Sequence, residues 1–195
     1  MKTMDQVAKI RAALLYILKE IPSGADYIKI FKILYFAQQA HLVTYGRVII
    51  EDSFNALKRG PVPAFLYKAL RHYAEGLEQS KEIEFCVDKI SIDNHSGIPM
   101  FSTMESPDLD ELSESDIVCL DNAIKKYIKV DSGLLSDMSH EDNAWIKANE
   151  RYNEDPELGN RITAIEIARA GNASDSVIEY IRENQLIDRA LCYNE

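Results

Sequence analysis

Residues 26–46 read Asp26-Tyr27-Ile28-Lys29-Ile30-Phe31-Lys32-Ile33-Leu34-Tyr35-Phe36-Ala37-Gln38-Gln39-Ala40-His41-Leu42-Val43-Thr44-Tyr45-Gly46. The stretch from Ile30 to Ala37 is apolar nearly all round, and a helix of that character is a buried central one. The spacing predicts a helix from about Asp26 to Tyr45, with Gly46 as its C-terminal stop. Upstream, Val7, Ile10, Leu14, Ile17, Leu18 and Ile21 line one face of a first helix, which Pro22-Ser23-Gly24 ends.

Downstream the period changes. Arg47-Val48-Ile49-Ile50 and Phe54-Asn55-Ala56-Leu57-Lys58 predict a small hairpin turning at Glu51-Asp52-Ser53. Gly60-Pro61-Val62-Pro63 punctuates the chain, and Pro63 suits the first turn of a helix running to Gly76. Ile83 to Val87 alternates as a strand, Asp93 to Gly97 (with His95 and Ser96) reads as a turn, and Ile98 to Thr103 pairs back. An acidic loop spans 105–111, and Ser113 to Asp116 forms a capping box opening a helix that Asp131-Ser132-Gly133 ends. Short helices follow near 134–138 and 143–150. After a linker at 153–160, Thr163 and Glu166 form another capping box, and Ser174 caps a last helix. The expected fold is a mostly helical α+β single domain with a buried central helix and one or two small β-hairpins. Residues 1–152 form its body and 153–195 a helical extension packed on it.

A chain of 195 residues buries enough surface to fold without staples. Its 22 basic and 32 acidic residues give a net charge of −10, so the average surface repels a polyanion. Cys86, Cys119 and Cys192 offer no disulfide framework and no C-x-x-C pair, and are read as reduced thiols of a cytoplasmic protein. The longest early apolar run, Ala12 to Leu18, is too short to span a bilayer, so no membrane association is expected.

Chemistry-bearing motifs are sparse. The four histidines, His41, His72, His95 and His140, show no metal-ligand pairing, and Ala144 stands where H-E-x-x-H needs its second histidine. The sequence holds no G-x-S-x-G elbow and no phosphate-binding glycine loop. Hence no catalytic residue, cofactor or metal is assigned. Lys29, Lys32, Lys58, Arg59 and Lys68 lie among Tyr27, Tyr35 and Tyr67, which suggests a nucleic-acid patch. The helical periodicity already needs those aromatics for the core, and that reading is adopted.

Three segments carry a resemblance. They are Ile33-Leu34-Tyr35-Phe36-Ala37-Gln38 with Tyr45-Gly46-Arg47; Phe54 to Pro63 with Tyr67; and Leu135-Ser136-Asp137-Met138-Ser139-His140-Glu141 with Trp145. In this order and spacing, from about residue 5 to 150, the chain resembles the SocA-type antitoxin family, or Panacea domain, which includes many phage-associated proteins. It departs at Leu57, where the family usually has tryptophan, and at Ala144, where proline is frequent. The resemblance implies the antitoxin of a type II toxin–antitoxin pair. Such a protein binds a cognate toxin encoded by the adjacent gene and blocks it, or delivers it to a host protease.

The family-motif residues are Tyr35, Phe36, Gln38, Gly46, Gly60, Pro61, His140, Glu141 and Trp145. Tyr35 and Phe36 are expected in the core, Gln38 is expected to bond backbone at the Gly-Pro turn, and His140 to pack on Trp145 and cap a helix end. Partner contacts are expected from Arg59 near the Gly60-Pro61 turn and from Asp108 and Asp110 in the acidic loop. The helix pair from Thr163 to Leu186 has few basic residues, so DNA binding is not assigned. Two other readings stand beside the antitoxin: a small intracellular enzyme with a pocket around His140, Glu141 and Gln38, and a phage or mobile-element accessory protein recruiting a host factor.

Overall fold

The central helix is the hub on which the other elements pack. In the computed structural model, which describes residues 2–94 and 97–192, α1 (Met4–Lys19) and α2 (Tyr27–Tyr45) are followed by β1 (Phe54–Leu57), β2 (Gly60–Pro63), α3 (Ala64–Glu75) and α4 (Lys81–Val87). Next come β3 (Ser91–Asp93), β4 (Met100–Ser102), α5 (Glu114–Tyr127), α6 (Ser132–His140) and α7 (Asn143–Glu154). β5 (Arg161–Ile162), α8 (Ala164–Ala170) and α9 (Asp175–Cys192) complete the chain. Helix α2 contacts α1, α5, α6, α8, α9 and β2. Ile30, Ile33, Leu34, Tyr35 and Ala37 are all fully buried in it. His95 and Ser96, and the side chain of Cys192, lie outside the described residues.

Helix α2 has its predicted ends, while α1 stops at Lys19, before Ile21 and the expected break at Pro22-Ser23-Gly24. Thr3 and Gln6 form a capping box on α1, and Asp26 caps α2 by accepting from the Lys29 amide. Gly46 closes α2 with φ 65°, a left-handed conformation that glycine adopts without a steric penalty. The two capping boxes at Ser113–Asp116 and Thr163–Glu166 are both formed.

The expected hairpin is displaced along the chain. Residues 47–53 form no strand; β1 pairs with β2 instead, Leu57 opposite Gly60 across the two-residue turn Lys58-Arg59. The polar groups of 47–53 are committed elsewhere. The Ile50 amide donates to the Gln38 side chain, and the Asp52 carboxylate accepts from the amides of Phe65 and Leu66. Asp52 thereby caps α3, whose own N-cap, Pro63, has no side-chain hydrogen bond to offer. Pro61 and Pro63 are tolerated because β2 is an edge strand in the antiparallel order β2-β1-β5.

The segment Ile83–Val87 is a helix, not a strand. Ser80 accepts from the Ile83 amide, Glu82 and Glu84 favour the first turn, and Ile83, Cys86 and Val87 are buried at spacings of three and four. The returning strand β4 pairs with β3 rather than with residues 83–87. Asp131 does not stop a helix. It caps α6, while α5 already ends at Tyr127. The loop 105–111 and the linker 153–160 each contain a short 3-10 turn, at Leu109–Glu111 and Pro156–Leu158.

Candidate functional site

The turn at Lys58-Arg59 is held from beneath by four side chains. The carbonyl of Leu57 accepts from the Trp145 indole N–H at 3.0 Å. The Lys58 carbonyl accepts from His140 Nε2 at 3.1 Å, and the Arg59 carbonyl from the Ser136 hydroxyl at 3.2 Å. The Pro61 carbonyl accepts from Lys32 Nζ at 2.8 Å. Three segments far apart in sequence, on α2, α6 and α7, therefore converge on one hairpin. The imidazole and the indole are also in contact, their centroids 4.4 Å apart. His140 thus packs on Trp145 as expected, but it bonds the hairpin turn rather than capping a helix end.

Gly60 is obligatory at this place for two independent reasons. Its φ is +94°, and a Cβ there would lie 2.1 Å from Ser139 Oγ and 2.7 Å from Lys32 Nζ. Ser139 itself donates to the Ser136 carbonyl at 2.7 Å.

Lys32 departs from the basic surface grouping that its neighbours in sequence suggest: it is 1% exposed. Its position inside the all-round apolar run Ile30–Ala37 is the signal for burial. Burial pulls its pKa down to about 7. Pro61 O is its acceptor, and no carboxylate among the described residues pairs with it. Lys32 forms part of the wall of a groove of about 420 Å³ between α2, the hairpin turn and α3. Tyr27, Phe31, Tyr67, Arg59 and Arg71 line the same groove. The three rings meet edge-on or tilted, each pair 6.0 Å apart.

The other motif residues are dispersed. Tyr35 is fully buried and donates to Asp142 Oδ1 at 2.9 Å, while Gln39 donates to Oδ2 at 2.7 Å. Asp142 also caps α7, so this network ties α2 to α7. Burial, and to a lesser degree the carboxylate beside it, push the Tyr35 phenol far above the ordinary range. Phe36 is half-buried and stacks on Tyr127 with centroids 4.6 Å apart. Gln38 accepts from Ile50 instead of bonding the Gly-Pro turn, which Lys32 serves. Gly46 allows close approach of α9, since a Cβ there would meet Tyr180 at 2.5 Å. Glu141 is exposed, and its amide caps α6. Arg59, Asp108 and Asp110 are all exposed, and the Asp108 carboxylate accepts from the Asp110 amide.

Gln38 and His140 are not brought together. Gln38 lines a second cleft, of about 820 Å³, between the 47–53 segment, β5, α8 and α9; His140 lines neither cleft. A buried network that sequence reasoning does not single out joins α2 to α5. His41 Nδ1 donates to the Arg47 carbonyl at 2.7 Å, and Nε2 faces Asp116 Oδ1 at 3.2 Å and the Ser115 hydroxyl at 3.0 Å. Lys9 completes it, 2.9 Å from the other Asp116 oxygen. The arrangement ties α2 to α5 through side chains buried between them. Among the described residues no cluster of three His, Cys, Asp or Glu side chains is placed to hold a metal ion. Nor is any described helix long and apolar enough to cross a membrane.

Compared with known protein families, residues 30–146 match the one described as antitoxin SocA-like, Panacea domain. The match takes in all four side chains that hold the hairpin turn. No curated protein and no solved structure matches the chain.

Proposed function

Because this chain belongs to the antitoxin SocA-like, Panacea domain family, we propose that it is the non-enzymatic antitoxin of a type II toxin–antitoxin pair in the cytoplasm. It neutralises its cognate toxin, encoded by the adjacent gene, by direct contact or by delivery to a host protease. The observation that carries this reading is the family match itself, which spans the central helix, the hairpin and the α6–α7 segment that grips it. A turn so fixed from below presents Lys58 and Arg59 to a partner at little ordering cost. The acidic loop with Asp108 and Asp110 is the second proposed contact, steering a toxin that carries a basic patch. In this reading residues 1–152 are the toxin-recognising body and 153–195 an extension packed on it.

Growth rescue tests the proposal. Co-expression with the product of the neighbouring reading frame should restore growth, and the two proteins should co-purify. Rescue without a detectable complex would overturn direct neutralisation and favour an enzymatic detoxifier.

A further inference from the structure

The groove beside the hairpin turn has an unusual electrostatic composition. Lys32 forms part of its wall and has no counter-charge, and Lys58 and Arg59 at its rim form no ion pair among the described residues. The acids nearby are already engaged. Glu75 pairs with Arg71 at 2.9 Å, and Asp26 accepts from the Lys29 amide and the Ser132 hydroxyl. In a chain of net charge −10, this is a local excess of unpaired positive charge set against exposed apolar surface. That surface consists of the half-buried rings of Tyr27 and Tyr67, lying over the buried Phe31, and of Ile98, which is 55% exposed.

A buried ammonium with a single acceptor has desolvation uncompensated and donors to spare. The group that satisfies it best is a carboxylate, through a charge-assisted hydrogen bond. A carboxylate entering along the groove floor meets Lys32, which is 1% exposed, and the exposed Arg59 at the rim is a second cation for it, while the adjoining rings offer edge-to-face packing to an apolar neighbour. A polyphosphate strand is disfavoured, because the rest of the surface repels it.

We propose that this groove is the docking site for an acidic-apolar segment of the protein partner, whose carboxylate pairs with Lys32 and Arg59 and whose neighbouring aromatic or aliphatic side chain lies on Tyr27 and Tyr67. The partner's identity as a toxin rests on the antitoxin reading; the chemistry of the occupant does not.

Binding of this kind is coupled to protonation. The free lysine titrates near pH 7, and a bound carboxylate holds the proton on it. The complex therefore has full affinity below pH 7 and weakens as pH rises above it, by up to about tenfold per pH unit. The charged or titratable groups that line the groove with Lys32 are Asp26 and Tyr27 at the start of α2, Lys58 and Arg59 on the turn, and Tyr67, Arg71 and Glu75 on α3, while His140 of α6 bonds the Lys58 carbonyl beneath the turn. Comparison with Lys32→Met isolates the lysine from these.

A random-peptide library displayed on phage is the probe, selected on the full chain at pH 6.5. The expected result is enrichment of Asp or Glu next to an aromatic or large aliphatic residue. Selected peptides should bind Lys32→Met and Arg59→Glu at least tenfold more weakly. Arg59 is exposed, so that variant keeps its fold even if Lys32→Met does not. Affinity of the wild type should fall between pH 6.5 and 9. Absence of acidic enrichment, or equal binding by both variants, overturns the proposal; so does preferential capture of a single-stranded oligonucleotide that Arg59→Glu abolishes. The two readings fail separately. If both variants still rescue growth and co-purify with the toxin, the groove is wrong and the antitoxin reading stands. If acidic peptides bind through Lys32 but no toxin is neutralised, the reverse holds.

Discussion

Lys32 makes the sharpest residue-scale prediction. Its pKa falls from 10.5 when unfolded to about 7 when folded. Between those values the unfolded state holds more protons, so stability rises with pH across that window. Relative to Lys32→Met, the wild type should gain roughly 3–5 kcal/mol between pH 7 and 10.5, at about 1.36 kcal/mol for each pH unit crossed. Urea denaturation at a series of pH values checks this; parallel profiles for the two proteins would mean the amine is solvated. Gly60→Ala should cost about 2–4 kcal/mol, since it combines a strained φ with a clash against Ser139 and Lys32. Thermal or chemical denaturation reads that loss. The Gly-Pro dipeptide announces a special backbone in the sequence. What presses on it does not show there, because Ser139 and Lys32 reach Gly60 only through tertiary packing.

At the scale of elements, α2 and α7 are coupled through Tyr35 and Asp142, and α7 is coupled to the hairpin through Trp145. Tyr35→Ala should cost about 3–5 kcal/mol, because it empties a fully buried site and leaves the carboxylate short of a donor. Phe36→Ala should cost less, about 2–3 kcal/mol, since Phe36 keeps some solvent contact in its stack on Tyr127. Trp145→Phe keeps most of the packing and removes the bond to Leu57, a loss of about 1–3 kcal/mol in the same denaturation assay. Equal losses for Tyr35→Ala and Phe36→Ala would contradict the difference in burial. The long helices are legible in the sequence because their apolar period and capping residues agree. The segment 83–87 is not, since five residues fit alternation and helical spacing alike and the Ser80 cap decides between them. The hairpin lies further along the chain than its β-branched residues suggest because Asp52 and Gln38 take up the polar groups of 47–53, and no local pattern announces a cap supplied from a distance.

For the whole molecule, the proposed antitoxin reading assigns recognition to the acidic surface and stability to the core. Asp108→Asn combined with Asp110→Lys should weaken growth protection while shifting Tm by no more than about 2 °C, because asparagine keeps the cap on the Asp110 amide and exposed charges contribute little to folding. A melting curve beside the rescue assay decides it. The candidate site is half legible: His140 and Trp145 stand out in the sequence as motif residues, but their convergence with Ser136 and Lys32 on the hairpin carbonyls depends on how α6 and α7 fold back. The pairing of β1 with β5 has a kinetic consequence. The Asn160 side chain and backbone both bond Ala56, 104 positions away in sequence. Closing a loop of that length costs about 4 kcal/mol of chain entropy, against almost none for the two-residue turn beside it. The hairpin and α2 therefore assemble early, and the strand at 161–162 zips on late in folding. In pulse-labelled refolding, the Ala56 amide, which donates to Asn160, should gain protection after the amides of the central helix.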